Sequence, residues 1–461
     1  MALRGLATSM LSFIHSALLA VCVAIGGLAL FSARVAAQQS AAHDQQAHEH
    51  QHSHAHGTGG MAHDPDMNAA EMYLMNTASG TSMNPQSWPM PMLMPRLGSW
   101  RLMLMGQAFL VDTQQSGPRG HDKFYAPNWF MVSLLHSLGR GSIMLQSMWS
   151  LDPATITNRS YPELFQTGET AYGRHLVDAQ HPHDLFMGLA VQYAHSIGES
   201  TILQASYAPV GDPALGPVAF PHRASALELP QAPLGHHWQD SSHIANNVVT
   251  VTVKHAWLRF EASGFYGSEP NENRWNIDWG PMNSYSGRLS IFPSKNWMAQ
   301  ISAGRLTGPE RGEHGDIVRT TASLHYTRPT GRGNAWSTSL IWGRNHAIPA
   351  RHNLNSYLLE SLYPLSRKNF LTGRMELVDK NELFANQPDI EEHLAHTVGS
   401  AFRIQAYTIG YTRDLAIFQS VESGIGANFT RYVIPAAIQP YYGAAPWGVN
   451  VYLRVRLKPA G

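Results

Sequence analysis

Three observations predict an all-β fold: a transmembrane antiparallel up-and-down β-barrel of about sixteen strands, preceded by a disordered His/Met-rich tail. The chain carries an export signal, and no later run reaches the roughly 18 consecutive apolar residues of a membrane helix. Its body alternates polar and apolar residues in short bursts. The connections between these bursts alternate long and short along the whole body, as in barrels with short periplasmic turns and long external loops.

The export signal is the stretch "MALRGLATSMLSFIHSALLAVCVAIGGLALFSARVAAQQS". Arg4 precedes an apolar run, and the small residues Val35, Ala36 and Ala37 precede Gln38, which predicts a signal peptide over residues 1–37 cleaved after Ala37. A membrane anchor is the competing reading, and the Val-Ala-Ala site followed by a polar tail favours cleavage. Cys22, the single cysteine, lies inside the run, so the mature chain has no disulfide, thiolate ligand or cysteine nucleophile. Loss of Arg4 and Arg34 takes the 32 basic residues to 30, against 32 acidic ones. This near-neutral balance excludes the basic field that nucleic-acid binding requires.

Residues 38–66 hold His43, His48, His50, His52, His54, His56 and His63 among too few apolar residues to form a core, and are expected to be disordered. Residues 67–98 form a Met/Pro-rich stretch, expected to be a periplasmic linker, with Met67, Met72, Met75, Met83, Met90, Met92 and Met94. Imidazole binds Cu²⁺, Ni²⁺ and Zn²⁺, and thioether is a soft ligand suited to Cu⁺. The succession of the two in an exported, thiol-free chain points to copper; the competing reading is a merely polar tail.

Residues 99–461 are the expected barrel. In "IVRTTASLHYT", Val318, Thr320, Ala322, Leu324 and Tyr326 share one face, and Arg319, Thr321, Ser323, His325 and Thr327 the other. "VNVYLRVRL" repeats the pattern, with Val449, Val451, Leu453, Val455 and Leu457 against Asn450, Tyr452, Arg454 and Arg456. Short connections fall near Gly139, Gly198, Lys254, Pro293, Thr330, Ser366 and Arg413. Longer ones cover about 112–127, 152–184, 209–246, 266–284, 306–316, 345–352, 379–397 and 433–447. This phasing points Arg259, Glu261, Arg319, Arg374, Glu376, Arg403, Arg454 and Arg456 into the lumen, to pair with one another or to tune what passes. The strand histidines His136, His195, His255 and His325 are expected to be solvated or hydrogen-bonded.

"SYLLESLYPLSRKNFLTGRMELVDKNEL", "YTIGYTRDL" and "GIGANFTRYVIPAAIQPYYGAAPWGVNVYLRVRL" resemble the C-terminal hairpins of a largely uncharacterised group of bacterial outer-membrane β-barrel proteins. The order of signal peptide, His/Met-rich tail and barrel is more loosely similar to copper-resistance outer-membrane protein B, and that resemblance implies a barrel fold and an association with copper. The methionines here are less regularly repeated than in that family, and no barrel ligand of the family matches residue by residue. The chain ends "RLKPAG" without a terminal aromatic, so Leu457 is expected to close the last strand.

Two external connections are unusually long. The first carries His175, Asp178, His181, His183 and Asp184, the last four in "VDAQHPHDLF"; the second carries His236, His237 and His243. A single tight hairpin separates them, so both leave the same mouth and could converge on a Zn²⁺ or Cu²⁺ ion. The competing role is polar capping of loop structure. No G-x-S-x-G elbow or H-E-x-x-H motif is present, and the chain is not expected to be an enzyme. The leading expectation is a barrel in the outer membrane of a Gram-negative-type bacterium, with its tail in the periplasm, that binds or exports copper or a similar metal. It requires no cofactor beyond a copper or zinc ion; its partners are outer-membrane lipid, the metal and periplasmic metal-handling proteins, with no nucleic acid. The alternative is a general porin or structural barrel with no metal role.

Overall fold

The computed structural model describes residues 67–240, 245–309, 315–331, 333–399, 401–415 and 421–457. The signal peptide, the histidine tail from His43 to His63, and His243 lie outside the described residues.

One sheet of eighteen strands dominates. Two of its strands are short, Arg96–Leu97 and Lys123–Tyr125. The other sixteen are β1 (Trp100–Gln115), β2 (Asn128–Leu138), β3 (Gly141–Trp149), β4 (Phe186–Ile197), β5 (Thr201–Val210), β6 (Asn246–His255), β7 (Leu258–Tyr266) and β8 (Ser284–Ser294), followed by β9 (Trp297–Thr307), β10 (Asp316–Gly331), β11 (Asn334–Ile348), β12 (Asn353–Pro364), β13 (Asn369–Lys380), β14 (Phe402–Asp414), β15 (Val421–Val433) and β16 (Trp447–Leu457). Each pairs antiparallel with its sequence neighbours. β16 returns to β1, from Gln107↔Arg456 to Gln115↔Gly448, and closes the ring.

Closure leaves no free edge, which is what a lipid-embedded sheet requires. The connections sort by parity as the sequence predicts. Those at one mouth are brief, such as 139–140, 198–200 and 256–257, while 116–127, 150–185, 211–245 and 267–283 leave the other. Gly139 and Gly198 adopt φ of 64° and 65°, the left-handed conformation that such tight turns need.

Period-two alternation sets the two faces. On β10 and β16, Arg319, Thr321, His325, Asn450, Tyr452 and Arg454 are buried inside, while Leu324, Val451 and Leu453 are exposed outside. The outer face carries Leu203, Val251, Phe260, Ile301, Leu340, Leu359, Ile409 and Ile425 as an apolar band. Trp297, Tyr326, Trp336 and Tyr363 run along its short-turn edge with ring centroids 4.6, 5.4 and 5.9 Å apart in succession. That is the aromatic girdle of a membrane interface. One lumen assignment is corrected. Arg403 faces outward and pairs with Asp379 at 2.8 Å, because Phe402 and Ile404 take the inward phase and pack into an apolar cluster with Phe384 and Leu394.

The linker expected outside the barrel over residues 67–98 lies largely inside it. Asn68 caps α1 (Ala69–Met75), accepting from the Glu71 amide at 2.8 Å while Glu71 Oε2 accepts from the Asn68 amide. The Asn68 side-chain amide also donates to Ser137 and to the carbonyls of Gly139 and Gly141, fixing the segment at the short-turn mouth. It then crosses the lumen, where Tyr73 donates to Gln204 at 2.8 Å and the Ser87 amide to the Lys295 carbonyl at 2.9 Å. It leaves at the closing seam, where Leu93 bridges Leu104 and Arg96–Leu97 pairs with the start of β1. Leu457 is buried there against Leu93 and Leu104, the expected end of the last strand.

A charge on the apolar band has no partner in lipid. Ile301→Arg is expected to destabilise the barrel by ~2–4 kcal/mol, as for cations near the bilayer midplane, read from urea titrations of the protein refolded in vesicles; an unchanged midpoint would mean this face does not meet lipid.

Candidate functional site

The candidate site is the filled lumen. The third long connection, residues 211–245, folds inward, and its described residues are almost wholly buried. It meets the N-terminal segment directly: Asn84 donates to the His222 carbonyl at 2.9 Å and accepts from the Ala224 amide at 3.1 Å. A wall that presents alternate polar residues thus encloses two segments of its own chain.

Three carboxylates, each between two arginines, hold these parts together. Glu360 of β12 accepts from Arg223 of the inserted loop at 3.1 Å and from Arg374 of β13 at 2.6 Å. Glu228 of the loop pairs with Arg454 and Arg456 of β16, and Arg454 also reaches Asp414. Glu261 of β7 takes both Arg259 and Arg288 at 2.7 Å. These two arginines then donate onward to the Thr81 carbonyl at 2.6 Å and the Gly216 carbonyl at 2.8 Å, one from each inserted segment. Buried charges are tolerated only when paired and hydrogen-bonded. Here the pairing crosses from wall to plug.

Methionines fill the space on the β1–β4 side. Met75, Met83, Met90 and Met92 of the inserted segment are buried against Met103, Met105, Met131 and Met144 of the wall, with Met67, Met94, Met148 and Met187 packed alongside. Met72 is half-buried on α1. Unbranched thioether side chains suit an irregular gap between a plug and a wall. His222 Nε2 lies 2.9 Å from Met148 Sδ, and burial, with His183 nearby, holds its imidazole down at about 3, so it is neutral. Asp212, where the loop enters, is pushed up to about 6 by burial.

The polar residues of "VDAQHPHDLF" part company. Asp178 lies on the second strand of a hairpin, Tyr161–Ala171 with Arg174–Gln180, that also tucks into the outer mouth, and His181, His183 and Asp184 follow it. Asp178 accepts from Arg119 at 2.7 Å and from the Phe165 amide at 2.8 Å. His183 pairs with Asp152 at 2.8 Å, and Asp184 with Arg274 at 3.3 Å. His175 stays at the rim, its carbonyl accepting from Asn386. His183 also stacks on Phe220 of the second loop, at 6.1 Å between ring centroids, but only His181 closes on His236 and His237. A ring nitrogen of His181, of His236 and of His237 lies within 4.8 Å of the others. Of the seven described loop residues expected to converge, three do.

Two participants came from outside the predicted set. Glu169 Oε1 is 2.6 Å from His181 Nε2, and Glu269 lies 3.7 Å from His237 Nδ1. Glu269 sits on the connection 267–283, and only the rule that every long connection shares one mouth could have brought it in. Gly168 is needed here: at φ 122° a Cβ would stand 2.4 Å from His237 Nδ1. The strand histidines behave as expected, His136, His195, His255 and His325 each engaging a hydroxyl or carbonyl.

A closed antiparallel ring, an outer apolar band, an aromatic girdle and a polar interior occur together only in one setting. This is an outer-membrane β-barrel. No protein-family model and no curated protein matches the sequence, so the looser resemblance to copper-resistance outer-membrane protein B gains no support. Among solved structures, the barrel is similar to an anion-selective porin from Comamonas acidovorans, at TM-score 0.46 and 10% identity over 78% of this chain and 100% of that one. It is also similar to OmpF of Salmonella typhi in complex with daunomycin, at TM-score 0.45 and 8% identity over 78% and 100% of the two chains. A further similarity is to OprB of Pseudomonas putida at high pH, at TM-score 0.44 and 9% identity over 78% and 94%.

Glu228→Gln leaves Arg454 and Arg456 without their shared carboxylate. Because Arg454 keeps Asp414 and Arg456 keeps Glu422, the loss is that of charged hydrogen bonds, about 1.5–3 kcal/mol, seen as a lower thermal unfolding midpoint in detergent; a wild-type midpoint would separate the loop's insertion from the barrel's stability.

Proposed function

We propose that the protein is a porin-like channel of the outer membrane held shut by two segments of its own chain, and that it conducts when the loop of residues 211–245 withdraws. The supporting observation is the nature of the filling. The loop meets Glu360, Arg454 and Arg288 of the wall through charged and polar groups, and water can take the place of such contacts when a segment moves out, whereas the N-terminal segment is also held by its methionines. Two cavities of about 40 Å³ that border these segments have room for only a few waters each. A conducting path therefore requires displacement of a segment.

A second reading, copper handling, is favoured by the methionine cluster. Twelve thioethers gather where barrel interiors are ordinarily polar, eight of them buried, and thioether sulfur selects Cu⁺. On this reading the methionines of residues 67–94 act inside the lumen, and the histidine tail would collect the ion in the periplasm. Anaerobic Cu⁺ titration of the full chain tests it: Met131→Leu with Met144→Leu should weaken binding, and undiminished affinity would return these residues to a packing role.

The channel reading is tested with a lock. Ser225 of the loop and Ser339 of β11 have hydroxyl oxygens 2.7 Å apart. Ser225→Cys with Ser339→Cys is expected to be silent in planar bilayers when oxidised and to show openings when reduced, while deletion of residues 217–234 gives lasting conductance. Equal conductance in the oxidised and reduced forms would remove the loop as the gate.

Acidity should also bias the closed state. Burial, and Glu376 nearby, push Glu163 of the hairpin up to about 8, with Arg374 and Lys380 acting against them. An acid raised in the inserted state stabilises that state most below its ordinary range, and the contribution is lost as pH rises through about 8. Open probability is expected to increase between pH 6 and about pH 9, and Glu163→Gln to flatten the dependence. An unchanged profile in that variant would exclude this carboxyl as the source.

A further inference from the structure

We infer that His181, His236 and His237, with Glu169, form a binding site for a borderline divalent transition-metal ion of the Zn²⁺ class, which fastens the outer loops to one another across the lumen. The ligands come from separate connections. His181 follows the hairpin that carries Glu169, and His236 and His237 open the helical turn His236–Gln239 of the inserted loop. All four are buried. The turn is pressed onto the barrel wall at Gly343, where a Cβ would meet the Trp238 carbonyl at 2.1 Å. The imidazoles are thus held by backbone packing rather than carried on a free loop.

The geometry is near that of a metal-bound set. Around Zn²⁺, with bonds of about 2.0–2.1 Å, tetrahedral ligand atoms lie about 3.4 Å apart. Here the three nitrogens lie within 4.8 Å, and His181 Nε2 is 2.6 Å from Glu169 Oε1. Side-chain shifts of roughly 1 Å or less convert one arrangement into the other.

Orientation of the rings points the same way. His181 Nδ1 lies 2.8 Å from the Pro182 carbonyl and His236 Nδ1 lies 2.9 Å from the Pro233 carbonyl. A carbonyl only accepts, so the His181 Nδ1 carries the proton and its Nε2 is the coordinating atom of the neutral ring, whereas the His236 Nδ1 also lies 3.0 Å from the Gln166 side-chain amide, a donor that calls for the opposite tautomer. At His181 that atom faces a carboxylate. Nε2 and Glu169 must share either a proton or a cation, and the neighbouring imidazoles favour the cation. Glu269, beside His237 Nδ1, stands where an outer carboxylate orients a ligating histidine.

Charge and donor chemistry narrow the ion. Glu169 and Asp184 both pair with Arg274, so carboxylates border the histidines on this side. Three nitrogens and one oxygen suit Zn²⁺, Cu²⁺ or Ni²⁺, whereas Ca²⁺ and Mg²⁺ require oxygen cages. A cavity of about 40 Å³ lined by His181, Asp184, Pro270 and Asn276 connects the cluster toward the outer mouth.

Full-length protein in detergent, stripped by chelator, reloaded with Zn²⁺ and dialysed, tests the site by mass-spectrometric metal content. Because the histidine tail is present in every sample, the difference between proteins carries the result. Wild type is expected to retain one equivalent more than His236→Asn with His237→Asn, and one more than His181→Gln, with folding of each variant checked by the gel mobility of the unheated barrel. Co²⁺ loading should give the visible absorption of a four-coordinate site in wild type and lose it in the variants. Equal metal content and equal spectra in wild type and either folded variant would mean a His181–Glu169 ion pair only, and overturn the site. The fastening role rests on the channel reading, and a separate measurement addresses it. Zn²⁺ should suppress openings of wild type in bilayers and leave the His181→Gln channel unaffected. Retained metal without suppression overturns the latch while the site stands, whereas a protein silent even after deletion of residues 217–234 refutes the channel.

Discussion

The structure depends on burying arginines inside a closed ring. A sixteen-stranded wall with strict alternation must point every second residue inward, and in this chain many of those residues carry charge. Left in a dry interior such groups would be very unfavourable. The protein resolves this with carboxylates set between arginine pairs, at Glu228, Glu261 and Glu360, and with backbone carbonyls of the inserted segments. Wall and plug are therefore mutually dependent. The wall supplies donors that the plug's carbonyls need, and the plug supplies Glu228 to Arg454 and Arg456 and Arg223 to Glu360.

That interdependence explains the polarity of the filling. Where the two segments face arginines they are held by charge and amide chemistry, and where they face β1 to β4 they are held by thioethers and aromatic rings. The first kind of contact can be exchanged for water with little net change, and the second cannot. On the channel reading, a segment would leave from the first side and be retained on the second. The inserted loop has contacts of both kinds, with Leu215, Leu234 and Trp238 in apolar clusters against the wall, and the N-terminal segment, through Met75, Met83, Met90 and Met92, belongs to the second.

Much of the architecture was legible in the chain. Strand number, the parity of long and short connections, the faces of β10 and β16 and the closing position of Leu457 all follow from period-two alternation and turn chemistry, which are local. Arg403 escaped because the phase of β14 is set by Phe402 and Ile404 packing against residues far away in sequence. The stretch 67–98 escaped for a related reason: a run rich in Met, Pro, Ser and Thr has the composition of a linker, and only an enclosed space of matching shape turns it into a core. Similarly, Asp178, His183 and Asp184 looked equivalent to His181 in sequence. Their fates were decided by Arg119 and Arg274, each on another connection, and by Asp152 at the far end of their own.

The sequence by itself determined the all-β class, the closed barrel, the lipid-facing and lumen-facing residues apart from Arg403, and the mouth from which the histidine loops emerge, because each is a consequence of alternation along one strand or of the length of one connection. Tertiary structure alone decided that the lumen is filled, that the methionine stretch lies within it, and that "VDAQHPHDLF" contributes a single histidine to a cluster completed by His236 and His237. Those outcomes depend on which distant backbone a side chain meets once sixteen strands have closed, and no local pattern encodes that distance.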